Sequence, residues 1–208
     1  MKSKWVWITL ALILVILMAF SIYFVNIEEP ASNYELEVQE KRAEKDYFLQ
    51  THPQTSLPSQ IKLVFQGLAY FDVDEKWKIK TFLERKIDIS QKPPEQADTS
   101  LKLAGLLHFN LDGKSYQLKA FWYQPDNFKQ LFVPFRDLTN GKGTYAGGRY
   151  INTSFSDRDS LELDFNRAYN PLCAYNPMNV CPLPPPENNI PILIEAGEKQ
   201  FPLAHLLH

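Results

Sequence analysis

Three groups of residues in this chain have types and spacings that could do chemistry. The first is the cysteine pair, Cys173 and Cys181, the only cysteines among 208 residues. In an oxidising compartment they would close a short loop around Pro177 as a disulfide, worth about 2–3 kcal/mol in the chain-entropy model. The alternatives are two free buried thiols, which behave as small apolar groups, or a redox or metal site completed by His205 and His208. A frayed terminus makes poor ligands, so no metal is expected. The second group is the run Arg136 to Arg149. Its glycines, including Gly147 and Gly148, would let backbone N–H groups approach a ligand closely. Arg136 and Arg149 can grip a carboxylate or phosphate in bidentate fashion, with Tyr145 beside them. The competing reading is structural, with the arginines paired to Asp137, Asp164 or Glu187 and the glycines making turns. The third group comprises the carboxylates Asp137, Asp164 and Glu187 and the amides Asn166, Asn170 and Asn188. A converging carboxylate pair would serve as acid and base in an envelope hydrolase. Otherwise these side chains cap turns around prolines.

The elements that must position these groups are mostly strands. Leu101–Leu111 and Lys114–Tyr123 alternate apolar and polar residues and meet at Asp112-Gly113, which reaches the positive φ values of a type I′ hairpin turn. Period-two runs also occur at Ile61–Phe65, Leu68–Val73, Trp77–Leu83, Leu131–Phe135, up to Ser154, Leu161–Asn166 and Ile190–Ala196, with a short one at Phe201–Leu203. Aromatic residues make up 13% of the chain, which favours strands and a substantial core. Strands do not alternate with helices, so a parallel α/β fold is excluded. The expected fold class is mainly β: a rolled or barrel-like antiparallel sheet of about eight to ten strands, with a sandwich as the alternative. One N-terminal surface helix is expected over Asn33–Leu49. Ser32 and Glu35 form its capping box, and Tyr47 and Phe48 are expected to pack on the sheet.

The N-terminus gives an expectation of location. Trp5 to Val25 carries no charge, and as a helix it would span about 31 Å, one hydrocarbon core. Lys2 and Lys4 precede it, Glu28 and Glu29 follow it, and Trp5, Trp7 and Tyr23 lie near its ends. That pattern predicts a single-pass signal anchor in the inner (cytoplasmic) membrane, N-terminus inside and domain outside. A signal peptide cleaved near Ala19 and Ser21 is the alternative. The organisation is therefore a cytoplasmic tail (1–4), a transmembrane helix (5–25), a linker (26–32) and an extracytoplasmic β-rich domain (33–208). The net charge of −2 leaves no basic footprint for nucleic acid. No nucleotide-binding, zincin or nucleophile-elbow motif occurs, and no cofactor is implied.

Two long stretches, LFVPFRDLTNGKGTYAGGRY (131–150) and LDFNRAYNPLCAYNPMNVCPLPPPENNIPILIEAGE (163–198), resemble the uncharacterised prokaryotic family catalogued as domain of unknown function 1684. Glu44-Lys45-Asp46 and the run Phe65–Phe71 extend the resemblance. The family has three glycines where this chain has Ala146-Gly147-Gly148. The resemblance implies a place for a site, where the 136–149 segment meets the long 163–198 loop, and no reaction. The reading is a binding or structural module of the cell envelope, with a small polar or anionic ligand or an envelope protein as its partner.

Overall fold

The computed structural model describes residues 12–18, 31–85, 101–122, 130–154 and 160–207. Two units divide at Leu36. In the first, residues 12–18 are helical. Among the described residues no helix is long and apolar enough to cross a membrane; most of the predicted span, 5–25, lies outside them.

Helix α1 (Asn33–Thr51) begins as the capping box requires, with the Glu35 N–H donating to Ser32 Oγ at 3.1 Å. Its buried apolar contacts are only Val38 and Leu49. Tyr47 and Phe48 do not pack on the sheet. Both are exposed, and Phe48 stacks on His52 instead. Polar side chains dock α1. Arg42 donates to the carbonyls of Phe71 and Asn166 at 2.9 and 3.2 Å, and Asp46 accepts the Leu68 N–H at 3.1 Å.

The predicted strand at Ile61–Phe65 is instead a short helix, α2 (Ser59–Val64). Ile61 and Phe65 are buried, four residues apart, while Leu63 between them is 87% exposed. Helical spacing therefore decided which face was buried. The run at Leu68–Val73 forms only an isolated bridge, Tyr70 to Glu198.

Among the described residues six antiparallel strands follow: β1 (Lys78–Arg85), β2 (Lys102–Leu111), β3 (Lys114–Trp122), β4 (Gln130–Phe135), β5 (Arg149–Ser154) and β6 (Ser160–Asp164). They make one sheet in the order β5-β4-β3-β2-β1-β6. The outer strands approach each other, and Thr153 Oγ1 donates to the Glu162 carbonyl at 2.8 Å. The result is mainly β, a nearly closed antiparallel barrel. The β2–β3 hairpin turns at Asp112 and Gly113 with φ of 49° and 73°, as the type I′ turn demands. Leu107, Leu118, Leu131, Val133, Leu163 and Phe165 fill the barrel. A second, smaller core lies under α2, where Leu49, Leu57, Ile61 and Phe65 meet Tyr175 and Phe201. Neither Ile190–Ala196 nor Phe201–Leu203 is a strand.

The barrel has a wedge. Among the described residues β3 and β4 pair only at Phe121↔Phe132 and Trp122↔Leu131. Continuing that register would bring Lys119 opposite Pro134, which has no N–H to give. The Asn188 side chain fills the gap. Its Oδ1 accepts the Lys119 N–H at 2.7 Å, and its Nδ2 donates to the carbonyls of Lys119 and Pro134 at 2.9 and 2.6 Å. Asn188→Ala would orphan these buried groups. The expected loss is about 2–4 kcal/mol in denaturant unfolding, since each unmet group costs about 1–3 kcal/mol. Asn188→Asp, which keeps the shape but sets a buried carboxylate oxygen against those two carbonyls, should lose at least as much as Asn188→Ala.

Candidate functional site

The 136–149 segment closes on itself. Gly141 and Gly148 adopt φ of 76° and 95°. A Cβ on Gly148 would lie 2.7 Å from both the Phe135 carbonyl and Pro184 Cγ, so this glycine serves close packing. Gly147 lies under the Tyr145 ring. Arg136 points to solvent, while its backbone pairs with Asn188 and Ile190. Asp137 Oδ1 accepts from the Thr139 N–H at 2.8 Å and from its hydroxyl at 2.5 Å.

Arg149 is wholly buried. Its Nη2 donates to Asp137 Oδ2 at 2.8 Å and to the Ile194 carbonyl at 2.9 Å. Its Nη1 donates to the carbonyls of Ala196 and Glu198. The guanidinium carbon sits 5.3 Å from the centroid of the Phe135 ring. Burial pushes its pKa down, and the Asp137 charge opposes that. The guanidinium clamps β5 to the C-terminal segment.

The clamp continues into a second buried cluster centred on Glu198, which is also wholly buried. Lys45 Nζ donates to Glu198 Oε2 at 2.7 Å and to the Tyr175 hydroxyl at 3.0 Å. Tyr175 donates to Glu198 Oε1, and Asn170 Nδ2 donates to the same oxygen at 2.8 Å. Gly197, at φ 73°, makes the turn that sends the Glu198 carboxylate towards Lys45. Burial, then the Glu198 charge, raises the Tyr175 pKa well above its ordinary value, so this hydroxyl stays a donor.

The remaining predicted residues occupy separate places. Asp164 accepts the Asn166 N–H at 3.0 Å and pairs with Arg167 Nε at 2.9 Å. Asn166 holds the backbone of Asp74 through both ends of its amide, at 3.1 and 2.9 Å. Glu187 is an exposed partner of Lys119 at 2.6 Å. The structure holds Cys173 and Cys181 in the reduced form, as free thiols and not as the expected disulfide. They are neighbours, because the Cys173 N–H donates to Cys181 Sγ at 3.0 Å and the Tyr145 hydroxyl lies 3.7 Å from Cys173 Sγ. Burial and then the Cys173 thiol push the Cys181 pKa up to about 11.

A cavity of about 340 Å³ opens between α1 and the 166–169 stretch. Val38, Ala168 and the rings of Tyr70 and Tyr169 wall it, with Lys41 and Arg167 among its lining cations and Glu198 its one lining carboxylate. Arg42 stacks 4.5 Å from the centroid of Tyr70, and Lys45 sits 5.2 Å from that of Tyr169. The sequence reading placed Asn166 beside a site but passed over Arg42, Lys45, Tyr70 and Glu198. The resemblance through Glu44-Lys45-Asp46 and Phe65–Phe71 was the one signal that touched these positions. Among the described residues no group of three or more His, Cys, Asp or Glu side chains is arranged to hold a metal.

The clamp makes a prediction. Arg149→Met should cost about 3–5 kcal/mol, the penalty for stranding one member of a buried pair. The double variant Arg149→Met/Asp137→Leu removes both charges yet should remain at least about 2 kcal/mol below the parent, because three backbone carbonyls stay without donors. Recovery to within about 1 kcal/mol in a double-mutant cycle would show that only the ion pair mattered.

Comparison with known proteins agrees with this architecture. The family described as "Protein of unknown function (DUF1684)" matches residues 64–199. The chain is also similar to an uncharacterized protein of Haloarcula marismortui, known from its solution NMR structure. Identity is 35%, the TM-score is 0.61, and the match covers 80% of this chain and 94% of that one. No curated protein matches. With all six described strands, the Arg149 clamp and Glu198 itself inside the matched residues, the chain belongs to the DUF1684 family.

Proposed function

We propose that this chain is a binding module of the cell envelope, anchored in the inner membrane through residues 5–25 with its β domain outside. Its ligand is a small molecule with an apolar body and a polar or anionic end, held in the cavity beside α1. The observation that carries this reading is the cavity's make-up. Its walls are aliphatic and aromatic, its rim carries lysine and arginine, and its volume falls in the range of small-molecule sites. The carboxylates that a hydrolase would need are committed elsewhere. Asp137 holds Arg149, Asp164 holds Arg167, and Glu187 holds Lys119. This favours binding over carboxylate acid–base chemistry.

Val38→Phe tests the site, because a ring at this buried lining position would project into the cavity. Filling it should raise stability by about 0.5–2 kcal/mol. It should also abolish binding of whichever aromatic or aliphatic carboxylates and amides bind the full-length parent in saturation-transfer NMR. Lys41→Trp, at an exposed position on the rim, offers a second block that leaves the core untouched. Fragments that bind both variants as well as the parent would place the ligand elsewhere and sink the proposal.

The cysteines report on location. Outside the membrane, thiol–disulfide exchange with oxidised glutathione would join Cys173 Sγ to Cys181 Sγ and release two molecules of reduced glutathione. In reduced protein, Cys181 should alkylate slowly at neutral pH, its rate rising about tenfold per pH unit up to about pH 11. Protein trapped in cells by acid quenching should be disulfide-bonded. Fully reduced thiols there would count against an external domain.

A further inference from the structure

A second opening lies between β1 and β2, and it goes beyond the ligand cavity. β1 pairs with β2 only from Phe82↔His108 to Arg85↔Gly105. Its first half, Lys78 to Phe82, pairs with β6. β2 pairs with β3 along its whole length. The facing edges of residues 79–81 on β1 and 109–111 on β2 therefore have no ladder between them. Thr81 Oγ1 marks the fork, donating to the His108 carbonyl at 2.8 Å.

The gap is roomy. A groove of about 650 Å³ is lined by the unbroken runs 78–82 and 108–112, together with Glu75 and Lys76. Successive residues of a strand point to opposite faces. A groove that touches every residue of both runs must therefore run along their backbones, between the strands. Backbone donors and acceptors facing such a groove are the template for strand addition.

We propose that this β1–β2 cleft binds an extended acidic peptide as an added strand. Charge and side-chain spacing define the occupant. Lys78, Lys80 and Phe82 share the outer face of β1, and Phe82 is 54% exposed. Lys80, in the middle, has no ion-pair partner among the described residues. Lys76 is held by Asp74 and Lys78 by Glu162. Cross-strand neighbours interact directly, so the complementary strand carries a carboxylate opposite Lys80, while Phe82, already paired with His108 and Ser160, closes the end of the cleft. Glu75 and Asp112 at the far end of the groove disfavour further acidic residues there.

The probe is the blocked peptide acetyl-Thr-Val-Thr-Glu-Thr-amide, added to the full-length protein. Amide hydrogen exchange is read first without it. Amides of residues 79–81 and 109–111 that face the cleft should exchange fast, and the peptide should protect them by at least about tenfold. The Glu→Lys peptide should bind at least about tenfold more weakly. A peptide N-methylated on the residues facing the cleft should not bind. Lys80→Glu, at an exposed position, should reverse the preference between the two charged peptides. Cleft amides already slow in the free protein would overturn the proposal, because the edges would then be satisfied. Equal binding of the N-methylated peptide would also overturn it, because contact would then be through side chains alone.

Discussion

The Arg149 guanidinium is the constraint around which this structure is arranged. Moving a cation fully out of water costs several kcal/mol even after relaxation. That cost is offset as its charge finds an anion and its donors find acceptors, which both Nη groups do and the buried Nε does not. Here Asp137 supplies the charge, and three carbonyls of one C-terminal segment supply the acceptors. The alternating isoleucines of Ile190–Ala196 suggest a strand, yet the segment only bridges to Arg136 and Leu138 through Ile190 and Ile192 before the carbonyls of Ile194 and Ala196 turn to Arg149.

The same commitment passes to Glu198. Its carbonyl faces Arg149 while its carboxylate faces Lys45, Asn170 and Tyr175. Gly197 makes this double use possible. A Cβ there would lie 2.6 Å from the Ala168 carbonyl, in addition to the strain of φ 73°. The clamp and the cluster form one polar path through the domain, from the 137–149 loop to α1. Charge satisfaction at one end therefore positions the helix at the other.

Much of the barrel was legible because strand signals there were local. The Asp112-Gly113 turn fixed the β2–β3 register, and alternation in β1 and β6 matched the buried face. At the start of the domain the failure came from a short apolar run whose period is ambiguous. Ile61, Leu63 and Phe65 fit a strand by alternation and a helix by the spacing of Ile61 and Phe65, and only tertiary burial separates the two. The site was less legible. Asn166 and Asn188 look from sequence like ligand groups, but both act as surrogate peptide groups, one for the Asp74 backbone and one between β3 and β4. Sequence displays an amide's polarity, and the partner that satisfies it lies tens of residues away. The contribution of α1 was hidden for a similar reason. Its apolar stripe is thin, and its anchoring depends on Arg42, Lys45 and Asp46, residue types that otherwise read as a solvated face.

That mode of docking also accounts for the cavity. A helix held by an apolar stripe is drawn against its neighbour until the space between them is filled, since voids forfeit dispersion contacts. α1 is instead fixed by long side chains whose ends must reach particular acceptors. Arg42 spans to the carbonyls of Phe71 and Asn166, and Lys45 spans to Glu198 and Tyr175. Their aliphatic stems act as struts, holding the helix at the distance their hydrogen bonds set. Closing the gap would require breaking charge-assisted bonds at the buried end, which are stronger than neutral ones. The cavity is thus a consequence of how the helix is attached. Arg42 and Lys45 line it beside the walls of Val38, Ala168, Tyr70 and Tyr169 and add their charge to that of Lys41 and Arg167.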